Sequence, residues 1–167
     1  MTHSHLTDAE VIALVGGVVI WWGRTEHLMF TDLLELRQEP AIQGKAKFAQ
    51  VPISTNPLIR QWSAAALLME TETAAQREVE LVRDELYRCA EDRNIIVHGF
   101  WDYPEPEPKS EHKITVMKPT RDNASIEFRQ YQIDRETLQR THNSAVSLYH
   151  RILPFTLNRR LRRRDTP

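Results

Sequence analysis

The chain has 167 residues, enough for one domain with a single core, and its formal net charge of -1 excludes a strong overall attraction to nucleic acid or to a membrane. Its single cysteine, Cys89, excludes an internal disulfide and a cysteine-rich zinc site, and it favours a cytoplasmic location. The longest uncharged run, residues 11–22, is too short to cross a bilayer, which needs about 20 apolar residues, and no basic segment precedes it as in a secretory signal. We therefore expect no membrane partner.

The first predicted helix begins at a capping box, Thr7-Asp8-Ala9-Glu10, and continues to about Leu36. Its apolar residues follow two neighbouring stripes, Val11, Leu14, Val18, Trp21, Thr25 and Leu28 in the first and Val15, Val19, Trp22 and Met29 in the second. A helix that is apolar on two sides needs two covers, so we expect one side in the core and the other against a second copy of the chain. The Gly16-Gly17 pair weakens a helix, which predicts that another element approaches its backbone closely.

The middle of the chain alternates between irregular and helical patterns. Proline and glycine punctuate residues 38–56, which predicts a loop with one helical turn at 42–49. Asn56-Pro57 predicts the start of a second helix that ends near Thr73. Glu26, in the first helix, is either solvated or pairs with a basic residue of the long helix that follows.

That long helix, residues 74–98, carries a seam of residues that alternate spacings of three and four: Val79, Val82, Leu86, Cys89, Arg93 and Ile96. Arg93 lies on this apolar seam. A guanidinium there must be paired or line a cleft. The alternative is that Arg93 extends from the helix end into solvent and has no specific role.

We predict a small antiparallel sheet for residues 100–133. Apolar and polar residues alternate at 112–118 and 125–133, and turn-forming residues lie between them at 119–123. Residues 104–108, which carry three prolines, predict an extended link. Asp134 is expected to cap a last helix, which Pro154 should kink or end.

The expected fold is therefore a mainly α single domain with a helical core at 7–99, a β-hairpin insertion at 100–133, a C-terminal helix at 134–157 and a basic tail at 158–167. The tail is either solvated or collects RNA phosphates through its arginines, which are Arg159, Arg160, Arg162, Arg163 and Arg164.

The end of the long helix, Arg93-Asn94-Ile95-Ile96-Val97-His98-Gly99, combines side chains suited to phosphodiester cleavage. Histidine transfers protons near neutral pH, arginine stabilises charge on phosphate oxygens, and Asn94 can orient His98 or a phosphate. Neither a metal nor another cofactor is expected. Arg93 and His98 lie about 140° apart around a helix, but they can still converge because arginine is long and Gly99 ends the helix. The second route, which we favour, is that one copy offers splayed groups and half a site, which a homodimer would complete.

This stretch, followed by Trp101, resembles the R-N-x-x-x-H signature of HEPN domains, and Trp21-Trp22 with Glu26 resembles an aromatic-then-glutamate pattern in their first helix. The resemblance covers roughly residues 7–101. It implies a dimeric helical bundle and, in many members, a metal-independent endoribonuclease that acts in phage defence or as a toxin with an antitoxin partner. It also implies catalytic roles for Arg93, Asn94 and His98, with Glu26 and Trp101 as supporting residues.

Two other interpretations stay open. The chain is alternatively a non-catalytic dimeric scaffold, or an RNA- or nucleotide-binding module, in which Arg93 and His98 bind phosphate without chemistry. It is also consistent with a helical homodimer in which Arg93 pairs with Glu26 or Asp92 for structure alone.

Overall fold

The computed structural model describes residues 8–102, 114–122 and 125–164, and these form mainly α-helices with a small antiparallel sheet. The described helices are α1 (Asp8–Leu36), α2 (Thr55–Met69), α3 (Thr73–His98) and α4 (Arg135–Arg164). The described strands are β1 (Phe100–Asp102), β2 (Ile114–Asp122) and β3 (Ser125–Ile133). The predicted mainly helical fold with an appended sheet and a C-terminal helix is confirmed.

The chain divides into two compact units, and the boundaries between them fall within α1, α3 and α4. Met1–Ile20 and Glu91–Asn143 form what we call the sheet unit, and Trp21–Ala90 and Ser144–Pro167 form the helical unit. This division differs from the expected split between a helical core and an inserted hairpin. The last two turns of α3, which carry the Arg93–His98 stretch, belong to the sheet unit.

The helical unit is held by a core of large apolar side chains that are fully buried, among them Trp22, Met29, Leu33, Leu36, Ile59, Trp62, Leu86, Leu148 and Ile152. The seam predicted for α3 supplies Val79, Val82 and Leu86, all with no exposed surface, so its inward face is confirmed. The loop after α1 contains a short 3-10 helix, Ala46–Phe48, within the range predicted for a helical turn.

Both ends of α2 differ from the expectation. The helix begins at Thr55 after an extended Ser54, so Pro57 lies in its first turn rather than at its first position. It ends at Met69, because Glu70 is extended (φ -86°, ψ 125°) and its carbonyl oxygen accepts the Gln76 side-chain amide at 2.8 Å.

A buried polar cluster joins three helices of the helical unit. Trp62 Nε1 donates to Asp32 at 2.8 Å, and the Arg159 guanidinium donates to Asp32 and, at 3.4 Å, to Glu70. Burial raises the pKa of Asp32, although the charge of Arg159 and the hydrogen bond from Trp62 act in the opposite direction.

This cluster corrects the predicted role of Arg159 as an RNA ligand. The residue is 8% exposed and its guanidinium is held by two carboxylates, so it is not available to a phosphate. The backbone also differs from the prediction, because α4 continues past Pro154 to Arg164 where a basic tail was expected. The side chains of Arg160, Arg162, Arg163 and Arg164 lie outside the described ones, and their RNA contacts stay a prediction.

The sheet unit has the strand order β1-β2-β3, with both pairs antiparallel. Its core contains Val11, Ile95, Ile96, Val116, Ile133 and Leu138. The turn predicted at 119–123 is wrong in its extent, because residues 119–122 pair with β3, Pro119 lying opposite Phe128. β1 pairs only with residues 115–117, so Pro119 lies beyond the doubly paired part of β2, where a missing backbone N–H is tolerated. Thr7 of the capping box and the link at 104–108 fall outside the described residues.

The first helix bears out the expected close approach at one of its paired glycines. A Cβ on Gly17 would lie 2.4 Å from His142 Cδ2, whereas a Cβ on Gly16 would meet no atom within 4 Å. On the open side, Ile12, Val19 and Ile20 are 69%, 42% and 56% exposed. Part of the helix is therefore apolar, exposed and open at the backbone. Each helix formed by the described residues is too short or too polar to cross a membrane.

The predicted cap of the last helix is confirmed and has a pH-dependent consequence. The Asp134 carboxylate accepts the Thr137 backbone N–H at 2.7 Å, and this bond lowers the pKa of Asp134. A lowered folded-state pKa means that the stabilisation is present above the unfolded pKa of about 3.9 and is lost as the pH falls through the folded value. Asp134→Ala should cost about 1 kcal/mol of unfolding free energy at pH 7 and much less near pH 2.

Urea denaturation of wild type and Asp134→Ala at both pH values measures this difference. Asp134→Asn is the matched control, because asparagine caps equally well without a charge, so its stability should depend less on pH. An equal cost of Asp134→Ala at both pH values would contradict the assignment.

Candidate active site

The Arg93–His98 stretch forms the last two turns of α3, and two of its residues anchor it in the core of the sheet unit. Ile95 and Ile96 are buried and pack in one cluster with Val116, Ile133 and Leu138. Because these two isoleucines fix the rotation of the helix end, the neighbouring polar side chains have defined directions. Arg93 and Asn94 are half-buried, and His98 is exposed.

Gly99 and Trp101 close this helix end. The Gly99 N–H donates to the Ile95 carbonyl oxygen at 3.0 Å, and Trp101 Nε1 donates to the Ile96 carbonyl oxygen at 2.8 Å. These carbonyls belong to the last turn, which lacks helical partners of its own. A Cβ on Gly99 would lie 1.9 Å from Val116 Cγ1, so glycine is required for β2 to approach the helix end. Trp101, predicted as a supporting residue, therefore secures the helix end that carries His98.

Arg93, Asn94 and His98 converge within one chain. Arg93 Nη1 lies 2.9 Å from His98 Nε2 and 3.0 Å from Asn94 Oδ1. Of the two arrangements that the sequence left open, convergence within one chain is the one that the structure shows, and the favoured splayed arrangement is wrong. The arginine side chain is long enough to span the angular separation, and the helix ends directly after His98.

The contact between Arg93 and His98 is a hydrogen bond in one tautomer of the imidazole. A guanidinium has N–H donors and no acceptor, so this bond requires His98 Nε2 to accept with its lone pair. The tautomer that can do so is the neutral ring with its proton on Nδ1. The same Nη1 group donates to Asn94, so the amide contacts the arginine, whereas the sequence allowed it to orient His98 or a phosphate.

The guanidinium of Arg93 is only partly satisfied. Its Nε atom is buried and has no hydrogen-bond partner. The partners that the described residues give to Arg93 are an amide oxygen and an imidazole nitrogen. Such an arginine, with an unused buried donor and no carboxylate among its described partners, is suited to bind an anionic ligand.

Two acidic residues that the sequence offered as partners of Arg93 lie in environments of their own. Glu26 belongs to the helical unit, where its half-buried carboxylate accepts the Thr55 hydroxyl, and its pairing with a basic residue of α3 stays a prediction. Asp92 is half-buried, and burial raises its pKa, while the charge of Arg140 acts in the opposite direction. Sequence reasoning considered Asp92 only as an ion-pair partner, and its burial has no signal in the sequence, since it depends on how the sheet unit packs.

The chain matches no protein-family model, no curated protein and no solved structure. Among the described residues, no group of three or more histidine, cysteine and acidic side chains is placed to hold a metal ion. The chemistry of the site therefore has to be argued from Arg93, Asn94 and His98 themselves.

Gly99→Ala should destabilise the protein and displace His98, because the new methyl group would overlap Val116 Cγ1 and approach the Ile95 carbonyl oxygen to 2.6 Å. We expect a loss of about 1–3 kcal/mol in unfolding free energy, measured by urea denaturation at a concentration where the protein is monomeric.

Gly16→Ala is the matched control, since its methyl group meets no atom within 4 Å. Alanine is the better helix former, so this variant should gain about 0.5–1 kcal/mol. Equal stability of the two variants would show that β2 does not press against the end of α3.

Proposed function

We propose that the protein is a metal-independent endoribonuclease of HEPN type that cleaves RNA by attack of a ribose 2′-hydroxyl on the adjacent phosphodiester. The observation that carries the proposal is the convergence of Arg93, Asn94 and His98 at one helix end. An arginine with an unused buried donor next to an exposed imidazole provides the two functions that this reaction needs, which are charge stabilisation and proton transfer.

In the proposed reaction, a neutral imidazole removes the proton of the 2′-hydroxyl as the 2′-oxygen forms a bond to phosphorus. The bond from phosphorus to the 5′-oxygen breaks, and a protonated imidazole gives its proton to that leaving oxygen. The products are a 2′,3′-cyclic phosphate and a 5′-hydroxyl. Arg93 binds the non-bridging oxygens, where negative charge increases in the transition state. Asn94 positions Arg93 through its amide oxygen.

This reaction needs one base and one acid, and the motif supplies one histidine per chain. We therefore propose a homodimer in which the two His98 side chains share a cleft. The exposed apolar part of α1 supports this proposal. Ile12, Val19 and Ile20 are exposed on a helix whose Gly16 leaves the backbone open to a partner. A symmetric contact through this surface would bury these three side chains, of which only Val19 belongs to the second predicted stripe, and Trp22 and Met29 of that stripe are already buried.

The biological setting is proposed from the resemblance alone. Proteins with this signature act in phage defence and as toxins, so an antitoxin or a defence-system partner is part of the proposal. A cytoplasmic location fits an RNA substrate and a single free cysteine, Cys89, which is buried. The competing function is a phosphate-binding module without chemistry, and it is favoured by the occupied Nε2 atom of His98.

His98→Ala and Arg93→Ala should each slow cleavage of single-stranded RNA by about 100-fold or more, because one removes the proton carrier and the other the phosphate ligand. The assay uses purified protein in a chelator and follows product formation on a denaturing gel. A bell-shaped pH profile near neutrality is expected if two histidines act as base and acid.

His27→Ala is the matched control, since His27 is an exposed histidine outside the motif, and it should retain the wild-type rate. Equal cleavage by all four proteins would identify a contaminating nuclease. Binding of RNA without cleavage by wild type would instead support the non-catalytic module.

Ile20→Glu should weaken dimerisation by about tenfold or more, because it places a charge in the proposed apolar contact. Sedimentation at micromolar concentration should show a wild-type dimer and an Ile20→Glu monomer with little RNA cleavage.

Ile53→Glu is the control, because Ile53 is 101% exposed and lies outside α1. It should remain dimeric and active. A monomeric wild type that cleaves RNA would contradict the shared cleft.

A further inference from the structure

We infer that Arg93 is a latch on His98: it holds the imidazole as the neutral Nδ1–H tautomer with Nε2 covered, and a phosphodiester releases Nε2 by taking the guanidinium. The inference rests on the proposed function and assigns a form of regulation to the same site. It makes Arg93 a positioning residue for His98 before substrate binds, in addition to its role as a phosphate ligand.

The first step is the direction of the hydrogen bond. Arg93 Nη1 and His98 Nε2 are 2.9 Å apart, and only the arginine can donate. The lone pair of Nε2 is therefore occupied while this bond exists. Since Nδ1 then carries the ring proton, neither nitrogen has a free lone pair with which to remove a proton from a 2′-hydroxyl. The arrangement in the structure is a resting state of the base.

The second step is the role of Asn94. Its Oδ1 atom accepts from the same Nη1 group at 3.0 Å, so the amide and the imidazole together hold one end of the guanidinium. Asn94 directly follows Arg93 in α3, and its contact with the guanidinium does not involve the imidazole. Asn94 thus stabilises the latched position of Arg93.

The third step is the reason that a phosphate can open the latch. Arg93 Nε is buried without an acceptor, so the latched guanidinium has an unsatisfied donor and both of its described partners are uncharged. A phosphodiester carries a full negative charge and can accept two parallel bonds from a guanidinium, whereas the amide and the imidazole are neutral acceptors. A phosphodiester at the site therefore competes effectively with the imidazole for the guanidinium, and His98 Nε2 becomes free at the moment when a substrate is present.

The test measures the tautomer of His98 rather than activity. The protein is labelled with 15N-histidine and studied by long-range proton–nitrogen NMR about two pH units above the ordinary histidine pKa of about 6.5, with His98→Ala used to assign the signals. Wild type should show the Nδ1–H form. Arg93→Ala should lower the ratio of Nδ1–H to Nε2–H by about tenfold, and Arg140→Ala, which removes an exposed arginine of the same unit, should leave it unchanged.

The second arm compares wild type with and without a ligand, so its main result does not depend on the folding of a variant. Single-stranded DNA is the probe, because it carries phosphodiesters and lacks the 2′-hydroxyl that the proposed reaction requires. Saturating DNA should lower the tautomer ratio of His98 in wild type as Arg93→Ala does, and Asn94→Ala should shift the ratio part of the way without DNA.

The outcomes separate the latch from the proposed function. An unchanged tautomer ratio in Arg93→Ala, or bound DNA that leaves the ratio of wild type unchanged, would overturn the latch even if RNA is cleaved. The expected tautomer shifts without any RNA cleavage in chelator would overturn the proposed endoribonuclease while the latch remains as part of a phosphate-binding site.

Discussion

The site depends on how the end of α3 is held. Ile95 and Ile96 are buried in the sheet unit, and Gly99 leaves room for Val116 of β2 against the last turn. These apolar contacts set the rotation of the last two turns of α3 and thereby the directions of Arg93, Asn94 and His98. The polar residues Arg93, Asn94 and His98 lie on the side of the helix end that is not packed in the core. Trp101 Nε1 donates to the Ile96 carbonyl oxygen in the same turn. The appended sheet is thus part of the site's support.

The hydrogen-bond partners of Arg93 bear on the function proposed for the site. A guanidinium on an apolar seam is costly unless it is paired, and here its described partners are Asn94 and His98 within the same helix. The arrangement satisfies the arginine incompletely and at the same time covers the base. Arg159 also has a buried Nε atom without a partner, but its guanidinium is held by the carboxylates of Asp32 and Glu70. The described partners of Arg93 include no carboxylate, and this difference is the main reason to propose Arg93 as an anion ligand.

The sequence predicted the elements that periodicity and capping determine. The bounds of α1 and α3, the burial of Val82 and Leu86 on the seam, and the Asp134 cap follow from local patterns. The contacts that individual side chains make could not be predicted from the sequence. The sequence left both convergence and separation of Arg93 and His98 open, because helix periodicity gives the direction of the Cβ atoms and does not give the rotamer of a long arginine side chain. Arg159 was assigned to a basic tail because local sequence cannot show that Asp32, 127 positions away, is its partner. The grouping of the end of α3 with the sheet likewise depends on tertiary packing.

The most direct test of the central claim is the chemistry at the cut bond. RNA in which one ribose at a mapped cleavage position is replaced by its 2′-deoxy form should stay intact at that position, and cuts elsewhere should leave 2′,3′-cyclic phosphate and 5′-hydroxyl ends. Both properties follow from 2′-hydroxyl attack with His98 as the proton carrier. Cleavage at the 2′-deoxy position, or products that end in a 3′-hydroxyl and a 5′-phosphate, would contradict the account.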